Sequence, residues 1–273
     1  MRKGFFIRTV GLVGLMALAA LPVSAQMFGG DSYRAPAVSQ PNRLEWAWDG
    51  GDRLAVGVPA TVRYHEQGAP RVIVTGPEEL LRRVRFRDGT ISNRDDWGFS
   101  WGGQERLDIQ VTGVKLNNFL VSGSARMHLG RLDRDSINIR VSGSGSAQMD
   151  AVKVRDISLK VSGSGKIELG ALQAAREVEV DISGSGSAST TSGHAENIDL
   201  SISGSGSADF GGLQSREASV TLSGSGRAAV APRDAANIRI SGSGRVRMPT
   251  SPPNLQTRVS GSGRIVTAQA DIR

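Results

Sequence analysis

The chain contains no cysteine. That excludes disulfides, thiolate metal sites and a lipid-modified cysteine at a processing site, so stability must come from burial and backbone pairing. Histidine is nearly as scarce. His65, His128 and His194 lie in separate regions and match no metal-ligand spacing, and no calcium-binding aspartate recurs at the turns. No metal or cofactor is expected. Charge is modest: 33 basic against 26 acidic residues give +7, and removing Arg2, Lys3 and Arg8 leaves 30 − 26, or +4. No nucleic-acid footprint follows from so mild an excess.

Long apolar runs are also lacking, except for Val10 to Leu21, which follows Arg2, Lys3 and Arg8 and precedes the small residues Val23-Ser24-Ala25. The run is short for a membrane span, which needs about 20 apolar residues. The whole pattern matches a secretory signal peptide over residues 1–25. A mature chain in the periplasm or at the cell surface is expected, without a transmembrane segment. Residues 26–43 lack periodicity and are expected to be a flexible lead-in.

What the chain has in abundance is ordered glycine. "VSGSGSAQM" at residues 141–149 has the letters of a flexible linker. Yet its leading aliphatic recurs at Val121, Val141, Val161, Ile182, Ile202, Leu222, Ile240 and Val259, at intervals of 20, 20, 21, 20, 20, 18 and 19. Linkers keep no period, whereas solenoids do, because each unit lies over its predecessor. Counting in twos through Val141 collects Ile137, Ile139, Gly143, Gly145, Ala147 and Met149 on one side. Asn138, Arg140, Ser142, Ser144, Ser146 and Gln148 fall on the other. Period two is the strand signature, and the apolar set must face a core.

SGSG therefore reads as a bend between strands, with both glycines of each copy inward: Gly143, Gly145, Gly163, Gly165, Gly184, Gly186, Gly204, Gly206, Gly224, Gly226, Gly242, Gly244, Gly261 and Gly263. One unit cannot bury its own inward face; stacking at about 4.8 Å buries every column. The expected fold is all-β, a single-stranded parallel β-helix with about 20 residues per coil. A β-propeller is the alternative, but its blades need about 40 residues. The SGSG-repeat β-helix is placed at 114–273. Residues 44–113, less regular and broken by Gly-Gly, Gly-Ala-Pro and Asp-Gly turns, are placed as an N-terminal cap and first coils. "GPEELLRRV" reads as one helical turn starting at Pro77, with Glu78 and Glu79 suited to its dipole.

The segments "VIVTGPEELLRRVRFRDGTI" and "LDIQVTGVKLNNFLVSGSARM", followed by the SGSG series, resemble the autotransporter adhesin head GIN domain family of bacterial exported proteins. The resemblance implies a β-helical fold and an adhesive role, and it brings no catalytic residues. After Thr267 only "AQADIR" remains, so no C-terminal membrane barrel is expected, since even small barrels need eight strands.

Candidate chemistry is sparse. Glu179 and Asp199 share an outward column and form a possible carboxylate pair, against the plainer reading of a solvated face. "GFSWG" offers Ser100 in a Gly-x-Ser-x-Gly pattern, but no helical pattern follows it, as a nucleophile elbow requires. Trp97 and Trp101 suit cap packing or a sugar platform. The outward serines from Ser142 to Ser260 would form a hydroxyl ladder along an exposed corner. Arg227, Arg245 and Arg264 fall in one outward column after the bend, and Arg239 and Arg258 in one before it. Their forked donors suit anionic glycans or envelope lipids. The expected function is a non-enzymatic exported module for surface or envelope interaction. The alternatives are an envelope scaffold without a dedicated ligand, or a polysaccharide-active enzyme.

Overall fold

The computed structural model describes residues 34–94, 106–269 and 271–272, all within one compact unit, Tyr33–Arg273. Residues 1–25, expected to be a signal peptide, and the candidates Trp97, Ser100 and Trp101 lie outside the described residues.

The N-terminal section carries β1 (Val38–Gln40), β2 (Arg43–Ala47), β3 (Arg53–Val56), β4 (Ala60–His65), β5 (Arg71–Thr75), a helical turn α1 (Glu78–Leu81), β6 (Val84–Arg87), β7 (Thr90–Asn93) and β8 (Leu107–Thr112). Its pairing is mixed. β5 lies antiparallel between β2 and β8, and β8 runs parallel to β4. The antiparallel strands place Trp46, Val72, Val74, Ile109 and Val111 against the core, closing this end of the stack. β1 differs from the expected mobile lead-in: it pairs with β2, and Trp46 Nε1 donates to Arg34 O at 3.1 Å.

From β9 (Asn118–Gly123) and β10 (Arg126–His128) onward, pairing between coils is parallel. β11 (Arg131–Gly143), β12 (Ser146–Gly163), β13 (Lys166–Gly184), β14 (Ser187–Gly204), β15 (Ser207–Gly224) and β16 (Arg227–Gly242) each run nearly a full coil and break only at SGSG. β17 (Arg245–Arg247), β18 (Asn254–Ser260), β19 (Arg264–Val266) and the antiparallel β20 (Asp271–Ile272) complete the stack. The fold is a β-solenoid of about seven turns with ~20 residues per turn.

Register converts sequence period into columns. Phe119, Ile139, Leu159, Val180, Leu200, Val220 and Ile238 stack in one buried line; Val121, Val141, Val161, Ile182, Ile202, Leu222 and Ile240 form another. At 2–5 kcal/mol for truncating a buried Leu or Ile to Ala, any such residue is a large fraction of stability.

The corner corrects one expectation. The second glycine of each copy is buried and inward, as parity requires, but the first is not. At Gly204, φ is +118° and a Cβ would sit 2.6 Å from the Gly184 carbonyl oxygen, so its missing side chain points along the stack. A positive φ takes the residue out of the pleat, and alternation counted through it fails. Gly206 is needed for another reason. A Cβ there would lie 2.5 Å from the Ile182 γ-methyl, which fills the corner of the next coil. Backbone pairing continues through the bend, with Ser205 N donating to Gly184 O at 2.9 Å and Ser207 N to Gly186 O at 3.0 Å.

Candidate functional site

The arginines are set by this register. β15, β16, β17 and β19 stack Ser207, Arg227, Arg245 and Arg264 in one outward column. β15, β16 and β18 stack Thr221, Arg239 and Arg258 in a second. The SGSG corner separates them, so Ser241 and Ser260 lie between two rows of guanidinium groups. All five arginines are exposed.

Sequence reasoning missed a sixth. Arg247 follows Arg245 by two residues and is outward by the same parity, in register with Ala229 and Val266. It has no counterpart in other coils, so a search for repeated columns passes over it. With Ser207, Asp209, Arg227 and Arg245 it lines a groove of about 210 Å³ floored by Ala208, Ala228 and Ala229. The small floor residues open the groove.

The electrostatic contrast along the solenoid is sharp. From Lys153 to Arg216 the cations are paired: Lys160 reaches Glu179 at 3.3 Å and Asp181 at 2.8 Å, Lys166 reaches Glu168 at 2.7 Å, Arg176 reaches Asp156 at 2.8 Å, and Arg216 pairs with Glu217. Arg126, Arg131 and Arg140 of the first coils are unpaired among the described residues. Among the described residues, Arg227, Arg239, Arg245, Arg247, Arg258 and Arg264 make no ion pair. Cations one coil apart repel by about 1 kcal/mol even in water. An intervening sulfate, phosphate or carboxylate reverses the sign and suits the planar fork.

Other candidates carry less. Ser142, Ser162, Ser183, Ser203, Ser223, Ser241 and Ser260 do stack in register. Glu179 and Asp199 are direct neighbours. Glu179 is committed to its surroundings: the Ser158 hydroxyl donates to it at 2.6 Å, and Lys160 adds charge, holding its carboxyl below the usual range. Asp199 is pushed up, first by partial burial and then by the charges of Asp181 and Glu179. Opposed shifts are a mark of acid–base couples. Here, however, Asp199 lines a groove of about 400 Å³ with Glu177, Asn197 and Glu217, and Glu179 is not part of that lining. The two carboxylates do not converge on one substrate space. Among the described residues, no group of three or more His, Asp or Glu is placed to hold a metal.

The family model described as "Putative auto-transporter adhesin, head GIN domain" matches residues 52–172 and 170–252. The chain belongs to this family. Solved structures agree on the fold of this GIN-domain protein. A "putative lipid binding protein" from Parabacteroides distasonis superposes with a TM-score of 0.73 at 20% identity, covering 86% of this chain and 98% of its own. A "putative adhesin" from Parabacteroides merdae gives 0.72 at 24% identity, covering 82% and 95%. A "putative adhesin" from Parabacteroides distasonis gives 0.71 at 25% identity, with the same coverage. Comparison with curated proteins gives no match.

Proposed function

We propose that the mature chain is an exported, non-enzymatic adhesion module that docks on clustered anionic groups of the cell envelope through its C-terminal arginine face. One observation carries this reading: six arginines of neighbouring coils stand without carboxylate partners among the described residues, while every cation from Lys153 to Arg216 is paired. The words adhesin and lipid binding, attached to structures of the same fold, are in keeping with such a surface. No helix among the described residues is long and apolar enough to cross a membrane, so attachment through surface chemistry suits the chain.

Magnitudes bound the interaction. A basic side chain near an anionic surface contributes about 1 kcal/mol. Four to six arginines then supply roughly 4–6 kcal/mol, a dissociation constant between about 1 mM and tens of micromolar. Such contacts are weak singly and become useful when the target presents many anions at once.

Sulfated or phosphorylated glycans and acidic lipid headgroups offer the same recognition chemistry, and two arms separate them. Retention on heparin and lipopolysaccharide beads reads the glycan arm; co-sedimentation with phosphatidylglycerol vesicles reads the lipid arm. Binding in at least one arm should fall with added salt and drop sharply for an Arg227→Ser/Arg245→Ser/Arg264→Ser variant. Equal retention of variant and wild type defeats the proposal and leaves the scaffold alternative.

A further inference from the structure

The last coil is finished on one side of the corner and open on the other. β20 pairs antiparallel with β19, Ile265 opposite Ile272, and covers that edge. β18 pairs only with β16 among the described residues, so its outer row of backbone donors and acceptors is free. Its inward residues continue the core columns, with Leu255 over Ala236, Thr257 over Ile238 and Val259 over Ile240. In earlier coils those positions are buried; here Leu255 and Val259 are half-buried and Thr257 is exposed. Natural edge strands are blunted by lysines, prolines, bulges or inward charges. Within β18 the only charge is Arg258, which points outward.

The sequence of β18, "NLQTRVS", is self-complementary when reversed about Thr257. We propose that this edge pairs antiparallel with β18 of a second copy, joining two solenoids end to end about a two-fold axis through Thr257. In that register Leu255 meets Val259 of the other copy twice, and Thr257 meets its own equivalent, a favourable cross-strand pair. Asn254 faces Ser260, and Gln256 faces Arg258. A further parallel coil would extend the Arg239–Arg258 stack. The antiparallel arrangement instead sets each Arg258 opposite a carboxamide and creates no like-charge pair. An isologous contact of this kind closes on itself, so the product is a dimer and not a fibre.

The test uses the exposed Gln256, where a substitution leaves the core untouched. Sedimentation velocity over a concentration series should show a monomer–dimer equilibrium. Gln256→Glu should tighten it and Gln256→Arg weaken it, each by roughly tenfold, because the symmetry places two new charge pairs across the strands at once. In this cysteine-free chain, Thr257→Cys should cross-link under mild oxidation far faster than Ser243→Cys, an exposed control on the corner. A chain monomeric at every concentration overturns the proposal, as does a dimer indifferent to both Gln256 substitutions.

Discussion

Replacing either glycine of one corner by alanine should give two very different proteins. In the copy at Ile240, Gly242 has φ of +116° and a Cβ there would sit 2.5 Å from the Gly224 carbonyl oxygen. That φ lies beyond the left-handed helical well, and forcing an L-residue into it costs about 1–3 kcal/mol. The overlap adds about 1–3 kcal/mol, because the opposing atom is backbone: the Gly224 oxygen already accepts from Ser243 N at 2.9 Å. Loss of unfolded-state freedom returns about 0.4–1 kcal/mol. The net expectation for Gly242→Ala is a destabilisation of roughly 1–5.5 kcal/mol. At Gly244 the φ is ordinary, and a Cβ would meet Leu222 Cδ1 at 3.1 Å and Gly226 O at 3.2 Å. The end of a leucine side chain can shift by a few tenths of an ångström, so Gly244→Ala should cost about 1 kcal/mol or less. Urea unfolding followed by circular dichroism compares the midpoints. Hydrogen exchange shows whether the loss for Gly242→Ala is concentrated in β16 to β18, as local unfolding of a stacked array requires. Equal midpoints for the two variants would refute the assignment of separate jobs to the two glycines.

Two further predictions follow from the side chains. Arg134, with its side chain only 8% exposed against 29% for Glu66, ties β11 to β4 by donating to Glu66 at 2.6 Å, Tyr64 Oη at 3.4 Å and Leu116 O at 3.3 Å. Arg134→Ala should lower stability by roughly 2–4 kcal/mol, and Arg134→Lys should recover little because the fork is lost; a urea midpoint like that of wild type would rule the tie unimportant. Asp199 has a folded-state pKa above its ordinary 3.8, so its ionised form costs stability at every pH above that raised value, and the cost vanishes below 3.8. Asp199→Asn should therefore raise the melting temperature at pH 7 and leave it unchanged at about pH 3, whereas an equal gain at both values would point to packing instead of charge.

The coils were legible in the sequence for a physical reason. In a solenoid each unit touches only its neighbours, so a fixed period becomes spatial adjacency. Knowing that Arg227, Arg245 and Arg264 follow the bend by the same number of residues was enough to stack them. Parity failed at Gly204 and its equivalents because a positive φ interrupts the pleat on which parity depends. The N-terminal section was legible only as turns and strands: β5 between β2 and β8 is a pairing of unlike segments, and no repeat announces it. Arg247 and the Lys160 bridge to Glu179 and Asp181 went unread since neither the groove nor the reach of a side chain is periodic.

We propose that the C-terminal arginine columns form an anion-binding face. A titration of sulfated oligosaccharide into the mature protein, by calorimetry at two ionic strengths, tests it directly. Wild type should bind saturably and lose affinity as salt rises. The variant lacking Arg227, Arg245 and Arg264 should bind roughly 100-fold more weakly, three side chains at about 1 kcal/mol each being removed. Indistinguishable isotherms for the two proteins would contradict the claim.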